Sequence, residues 1–140
     1  MSAALDGHPR LAELHEAAQA AMERAYAPYS GFHVGAALLT RDGAIVCGCN
    51  VENAAFPSGI CAERGAVTAA VLAGHREFEL LVLTTAAGDP TPPCGMCRQV
   101  LVEFAPALPV VSVSRDGRTR HWTMAELLPQ PFLPASLSGG

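Results

Sequence analysis

The chain has 140 residues and a mass of 14.6 kDa, the size of one domain, so a single unit spanning residues 1–140 is expected. Hydrophobic residues make up 50% and charged residues only 16%, against the usual ~25%, which excludes intrinsic disorder. With a net charge of −4, no basic stripe and no apolar run near the ~20 residues of a membrane span, neither a nucleic acid polymer nor a membrane is expected as partner.

The alanine-rich stretch Pro9–Tyr26 places Leu11, Leu14, Ala18, Met22 and Tyr26 on a helical period, with Pro9 suited to the first turn and Pro28 as a stop. Val34–Thr40 and Ala44–Cys49 read as a hairpin around the turn Arg41-Asp42-Gly43. Asn50–Gly59, with Pro57, Ser58 and Gly59, reads as loop. Cys61–Ala73 is a second helix closed by Gly74. Leu80–Thr85 is almost wholly apolar, the pattern of a strand covered on both faces. A polar loop, Ala86–Pro93, leads to a third helix, Gly95–Phe104, which Pro106 stops. Pro109–Ser114 and Thr119–Thr123 are strands around a second Arg-Asp-Gly turn, Arg115–Gly117, and Met124–Leu128 is a short helix. The tail beyond Pro129 ends in Ser-Gly-Gly, and residues 133–140 are expected to fray. The order α-β-β-α-β-α-β-β-α predicts an α/β fold: a three-layer α/β/α sandwich around a mixed, about five-stranded sheet.

Five cysteines are present, Cys47, Cys49, Cys61, Cys94 and Cys97. The odd count, with Asp6, His8 and Arg10 standing where an export signal would be apolar, favours reduced thiols in the cytoplasm over a disulfide framework. The pair Cys94-x-x-Cys97 is open to redox chemistry or zinc, and Cys61 upstream tilts it to zinc. Cys61, Cys94 and Cys97 fall at helix N-termini, where free N–H groups and the dipole stabilise thiolates. Three thiolates leave a fourth zinc position for water, and Glu63, one turn into the helix after Cys61, is placed to act as general acid and base. A purely structural zinc with Cys47 or Cys49 as fourth ligand is the alternative; otherwise these two are expected to be small buried hydrophobes. Scarce charge further predicts that part of the surface is buried in an oligomer.

The ordered segments Tyr29-Ser30-Gly31-Phe32, Val34-Gly35-Ala36-Ala37-Leu38, Asn50-Val51-Glu52-Asn53-Ala54, Cys61-Ala62-Glu63-Arg64, Pro93-Cys94-Gly95-Met96-Cys97-Arg98-Gln99-Val100 and Glu126-Leu127-Leu128-Pro129 with Phe132 resemble the cytidine deaminases of nucleoside salvage, in their three-cysteine form. The match runs from about Ala25 to Phe132. The resemblance implies one zinc per subunit on Cys61, Cys94 and Cys97, with Glu63 shuttling protons. It implies Asn50 and Glu52 on the ribose 3′-hydroxyl, Phe32 against the pyrimidine and the Ala54 backbone at the base. It implies a homotetramer with shared sites, to which the Phe56 loop and Phe132 would contribute. Arg64 would donate to the thiolates and relieve the net −1 charge of a zinc with three of them. The implied reaction is hydrolytic deamination of cytidine and 2′-deoxycytidine. The alternatives are a blasticidin S type deaminase and a zinc-stabilised nucleoside-binding protein without turnover. Two positions depart from the family: Phe56 replaces a common tyrosine, and Gly65 replaces a common threonine, for which close packing is expected.

Overall fold

A computed structural model of the chain describes residues 7–138. In chain order it contains helix α1 (Leu11–Met22), strands β1 (Val34–Thr40) and β2 (Ile45–Cys49), a 3-10 turn (Phe56–Ser58), helix α2 (Ala62–Leu72), strand β3 (Phe78–Thr85), helix α3 (Gly95–Phe104), strands β4 (Val110–Val113) and β5 (Thr119–Trp122), and the short helices α4 (Met124–Leu127) and α5 (Pro134–Leu137). The strands form one sheet in the order β2-β1-β3-β4-β5. Only β3 and β4 run parallel, because α3 supplies the crossover between them; the other neighbours are antiparallel. The sheet is mixed and five-stranded, as its sequence pattern predicts.

The two-residue period of the strands sorts the core into two layers. Ala36, Leu38, Leu81, Leu83 and Val110 face α2 and α3, where they meet Ala62, Ala66, Ala70 and Leu101. Ala37, Leu39, Leu80, Val82, Val111 and Val113 face the opposite way and meet Leu14 and Ala18 of α1. Strand β3 is covered on both sides, and Leu80, Leu81 and Val82 have no exposed surface. That is why its sequence is a continuous apolar run rather than an alternation. Both Arg-Asp-Gly turns form, with Gly43 at φ +94° and Gly117 at φ +84°, a region that favours glycine.

Helix α2 lies directly on the backbone of β2. A Cβ on Gly48 would stand 2.3 Å from Ala62 O and 2.4 Å from Ala66 N. The close packing expected at Gly65 is therefore centred on Gly48. A Cβ on Gly65 itself would meet Cys49 O at 3.5 Å, an ordinary contact.

Three local expectations are corrected. Helix α1 ends at Met22 rather than near Tyr26, because the Tyr26 backbone is drawn into the following loop: its N–H donates to Asn50 O at 2.9 Å and its carbonyl accepts from Glu52 N at 2.8 Å. Cys47 is exposed and Cys49 only half-buried, since β2 is an edge strand, although α1 reaches it with Ala17 O 3.9 Å from Cys47 Sγ. The tail carries one helical turn, α5, started by Pro134; residues 139–140 lie outside the described chain.

Candidate active site

Helices α2 and α3 present their N-termini at one end of the sheet, and the thiols sit there. Cys61 is the residue before α2 and Cys94 the residue before α3. Both have extended backbones and neither side chain caps its own helix, so each sulfur is free to point elsewhere. Cys97, in the first turn of α3, is fully buried. The Sγ atoms of Cys61 and Cys94 are 3.5 Å apart, those of Cys94 and Cys97 3.4 Å, and all three lie within 4.8 Å of one another. Tetrahedral zinc with Zn–S bonds of ~2.3 Å sets its sulfurs about 3.8 Å apart, so the trio fits that ion with little adjustment. Cys47 and Cys49 do not belong to this group, which removes the four-cysteine alternative. As free thiols the trio favours a thiolate at Cys61: contact with Cys97 lowers its pKa to about 5, helped by Cys94 and Arg64 and opposed by burial. The same contact pushes the Cys97 thiol well above its usual range.

Glu63 occupies the first turn of α2 and is only 5% exposed. Burial pushes its carboxyl up to about 7, and the neighbouring Cys61 thiolate adds to the rise. Such a group can hold or release a proton near neutral pH, which suits acid and base roles in one cycle. Arg64 follows it. Burial opposes its charge, yet contact with Cys61 and Cys97 keeps its pKa above the ordinary arginine value. Its Nη2 donates to Gly59 O at 3.2 Å, while its Nε is buried without a hydrogen-bond partner. A buried donor beside a cluster of sulfurs is what a metal-bound thiolate, an acceptor of partial negative charge, would satisfy.

Above the cluster opens a cavity of about 420 Å³, lined among others by Cys61, Glu63, Arg64 and Cys94. Phe32, Asn50, Glu52 and Phe56 also line it. Asn50 Oδ1 accepts from Val34 N at 2.8 Å, and Asn50 Nδ2 donates to Phe32 O at 2.8 Å. Glu52 Oε1 accepts from the N–H groups of Tyr29 at 3.0 Å and Ser30 at 3.1 Å, and Glu52 Oε2 accepts from Ser30 Oγ. The Ser30 hydrogen bonds hold the Glu52 carboxyl below its ordinary pKa, so it is ionised at neutral pH. Of the roughly four acceptor positions of a carboxylate, one is left free, and Asn50 keeps one amide hydrogen. One acceptor and one donor side by side are the complement of a single hydroxyl group.

Ala54 and Phe132, by contrast, do not line the cavity. Ala54 is exposed on the loop. The Phe132 ring is 58% exposed, and its backbone is gripped by Gln99, whose Nε2 donates to Phe132 O at 2.7 Å and whose Oε1 accepts from Phe132 N at 3.2 Å. Arg98 donates to Pro93 O and to Leu127 O, both at 2.8 Å. Sequence reasoning gave Arg98 and Gln99 no role. It also missed Thr85, Thr91 and Met96 in the lining. Thr85 was findable, since it shares the parity of Leu81 and Leu83 and ends an otherwise apolar strand.

A family profile described as "Cytidine and deoxycytidylate deaminase zinc-binding region" matches residues 9–113, which include all three clustered thiols and Glu63. The "Cytidine deaminase" of Sporosarcina psychrophila is 46% identical over 119 residues, 84% of this chain and 88% of that one. The chain belongs to the cytidine deaminase family. A crystal structure of the cytidine deaminase from Burkholderia pseudomallei superposes with a TM-score of 0.84 at 47% identity, covering 87% of this chain and 98% of that chain. A more remote relative, the "Blasticidin-S deaminase" of Bacillus cereus, is 30% identical over 108 residues, 71% of this chain and 76% of that one. As a cytidine deaminase family domain the chain is a zinc protein, and its one three-thiol cluster among the described residues accounts for one ion per chain.

Proposed function

We propose that the protein hydrolyses cytidine and 2′-deoxycytidine to uridine and 2′-deoxyuridine with release of ammonia, and that it works in the cytoplasm in pyrimidine salvage. The observation that carries this reading is a buried carboxyl, Glu63, set beside three clustered thiols on the floor of a cavity large enough for a nucleoside. Cys61, Cys94 and Cys97 would hold the ion, whose chemistry there would be to supply a water acidic enough to attack near neutral pH. Glu63 would accept the proton of the attacking water and deliver it to ring N3 as the C4–O bond forms; it would then carry the proton of the new C4 hydroxyl to the exocyclic amine, so that the C4–N bond breaks, C4 becomes a carbonyl and ammonia leaves. Arg64 withdraws charge from the thiolates and so limits the damping effect of three anionic ligands. Asn50 and Glu52 take the ribose 3′-hydroxyl with the free donor and acceptor described above. Phe32 flanks the pyrimidine and Phe56 closes the sugar side.

The outward ring of Phe132 and the 75% exposure of Phe56 fit a homotetramer in which such groups complete a neighbour's site. Ammonia release by the zinc-loaded protein tests the reading, with cytidine, 2′-deoxycytidine, cytidine monophosphate and blasticidin S compared side by side. Turnover of both nucleosides is expected, and little of the monophosphate, for which no cluster of cations stands at the cavity among the described residues. Preferential turnover of blasticidin S would overturn the assignment, as would zinc binding without any turnover. Light scattering on the same sample is expected to give four chains.

A further inference from the structure

The sugar side of the cavity is built around one hydroxyl that the proposed reaction does not use. Ser30 Oγ donates to Glu52 Oε2 and at the same time accepts from Phe32 N at 2.9 Å. The Ser30 N–H donates to the other carboxylate oxygen, Glu52 Oε1, at 3.1 Å. The carbonyl of Phe32 accepts from Asn50 Nδ2. Phe32 is thus gripped on its N–H side by the residue that holds Glu52 and on its C=O side by Asn50. Both polar groups assigned to the sugar hydroxyl are tied to the backbone of the aromatic wall, and among the described residues Ser30 is the one that bonds both the carboxylate and the Phe32 backbone.

We propose that Ser30 is a positioning residue for substrate selection: its hydroxyl fixes the Glu52 carboxylate and the Phe32 backbone as one unit, so that engagement of the sugar 3′-hydroxyl and placement of the pyrimidine against Phe32 are set together. This rests on the nucleoside deaminase reading given above. The physical reasons are local. All of these groups lie outside the helices and strands, between α1 and β1 and after β2; bridges of Val51 to Tyr26 and Ile60 hold the Asn50–Glu52 backbone, but not the Glu52 carboxylate or the backbone of Phe32. Phe32 is 40% exposed and Ser30 is exposed, so packing does little to hold either. A carboxylate with several rotamers presents its free acceptor in one direction only if its other positions are occupied, and Ser30 fills two of them through its N–H and its hydroxyl. Ser30→Ala keeps the backbone donor and removes the hydroxyl alone. It frees Glu52 Oε2 and leaves the Phe32 N–H without its acceptor.

The experiment uses the zinc-loaded full chain and compares wild type, Ser30→Ala and Ser30→Thr on cytidine and on 3′-deoxycytidine, with KM and kcat measured separately and zinc content determined for each variant. Loss of one hydrogen bond to a charged group is worth about a tenfold change in affinity when partly solvated. Ser30→Ala is expected to raise KM for cytidine about tenfold, with kcat within about twofold and full zinc content. For 3′-deoxycytidine, which lacks the hydroxyl Glu52 reads, the rise is expected to stay under about threefold, the part due to Phe32 alone. Ser30→Thr, which keeps the hydroxyl, is expected to restore the cytidine KM. An unchanged cytidine KM in Ser30→Ala, or equal rises for both substrates, overturns the proposal while leaving the deaminase reading intact. A wild type that turns over no cytidine overturns that reading and the proposal with it.

Discussion

The two halves of the cavity are made by different means. The half that carries the thiols and Glu63 stands on the first turns of α2 and α3, whose next residues are core: Ala62, Ala66 and Leu101 have no exposed surface. The half that carries Phe32, Asn50, Glu52 and Phe56 stands on loops, and hydrogen bonds between side chains and backbone replace packing there. The first half is complete within one chain. The second leaves aromatic rings open to solvent, with Phe56 75% exposed. On the proposed function, the bond-making groups stand on packed helices and the substrate-selecting ones on loops.

The sharpest way to isolate the rigid half is Glu63→Gln. It keeps shape and one hydrogen bond but cannot accept the proton, so kcat is expected to fall by at least 10²–10⁴-fold while zinc stays bound. Steady-state rates and metal content on one sample check this. Next in size, Gly48→Ala attacks the support rather than the chemistry. Its new Cβ would fall 2.3 Å from Ala62 O, so α2 must shift and drag Cys61 and Glu63 with it. A loss of roughly 1–3 kcal/mol in unfolding free energy is expected, with weaker zinc retention. The matching change in the other half, Phe132→Ala, is expected to raise KM about tenfold with kcat and thermal stability almost unchanged, since the ring is 58% exposed within the chain. Light scattering in parallel separates a lost contact from a lost tetramer.

Arg64→Gln lies between the halves. Without the guanidinium the thiolates become more basic and take up protons at higher pH. On acidification zinc is therefore expected to leave at a higher pH than in wild type, as read with a colorimetric chelator. The smallest effect belongs to Gly65→Ala. Its Cβ would make an ordinary 3.5 Å contact, and replacing a helical glycine favours the helix by up to about 1 kcal/mol, so a small rise in melting temperature with unchanged kinetics is expected.

What could be read from the sequence follows the same division. Strand β1 and helix α3 match their predicted limits residue for residue, because turn residues and prolines bound them on both sides. The cysteine spacing already implies a shared metal site, since three thiols with two of them three residues apart suit zinc, and the helix N-termini they precede stabilise thiolates. The end of α1 is not legible in the local sequence, because the backbone partners of Tyr26 lie in a loop more than twenty residues on and no local pattern encodes them. Cys47 looked like core because edge and central strands share the same alternation; only the strand order exposes it. Gly65 attracted the packing argument that belongs to Gly48, as the glycine facing the helix is the one on the strand. The roles of Ser30 and Gln99 depend on side chains meeting distant backbone, and a motif names such residues without saying what they hold.

The reciprocal grip of Gln99 on the Phe132 backbone joins residues 33 apart in sequence, and Arg98 fastens Leu127 O from the adjacent position on α3. The place where the chain leaves the domain is thereby fixed by helix α3 and not by the length of what lies between. The Arg115–Gly117 turn between β4 and β5 is exposed along its length and takes no part in either fastening. A peptide tag or fluorophore-bearing insert spliced into that turn is expected to leave the Phe132 anchor where it is, which makes the turn a natural attachment point for labelling the chain.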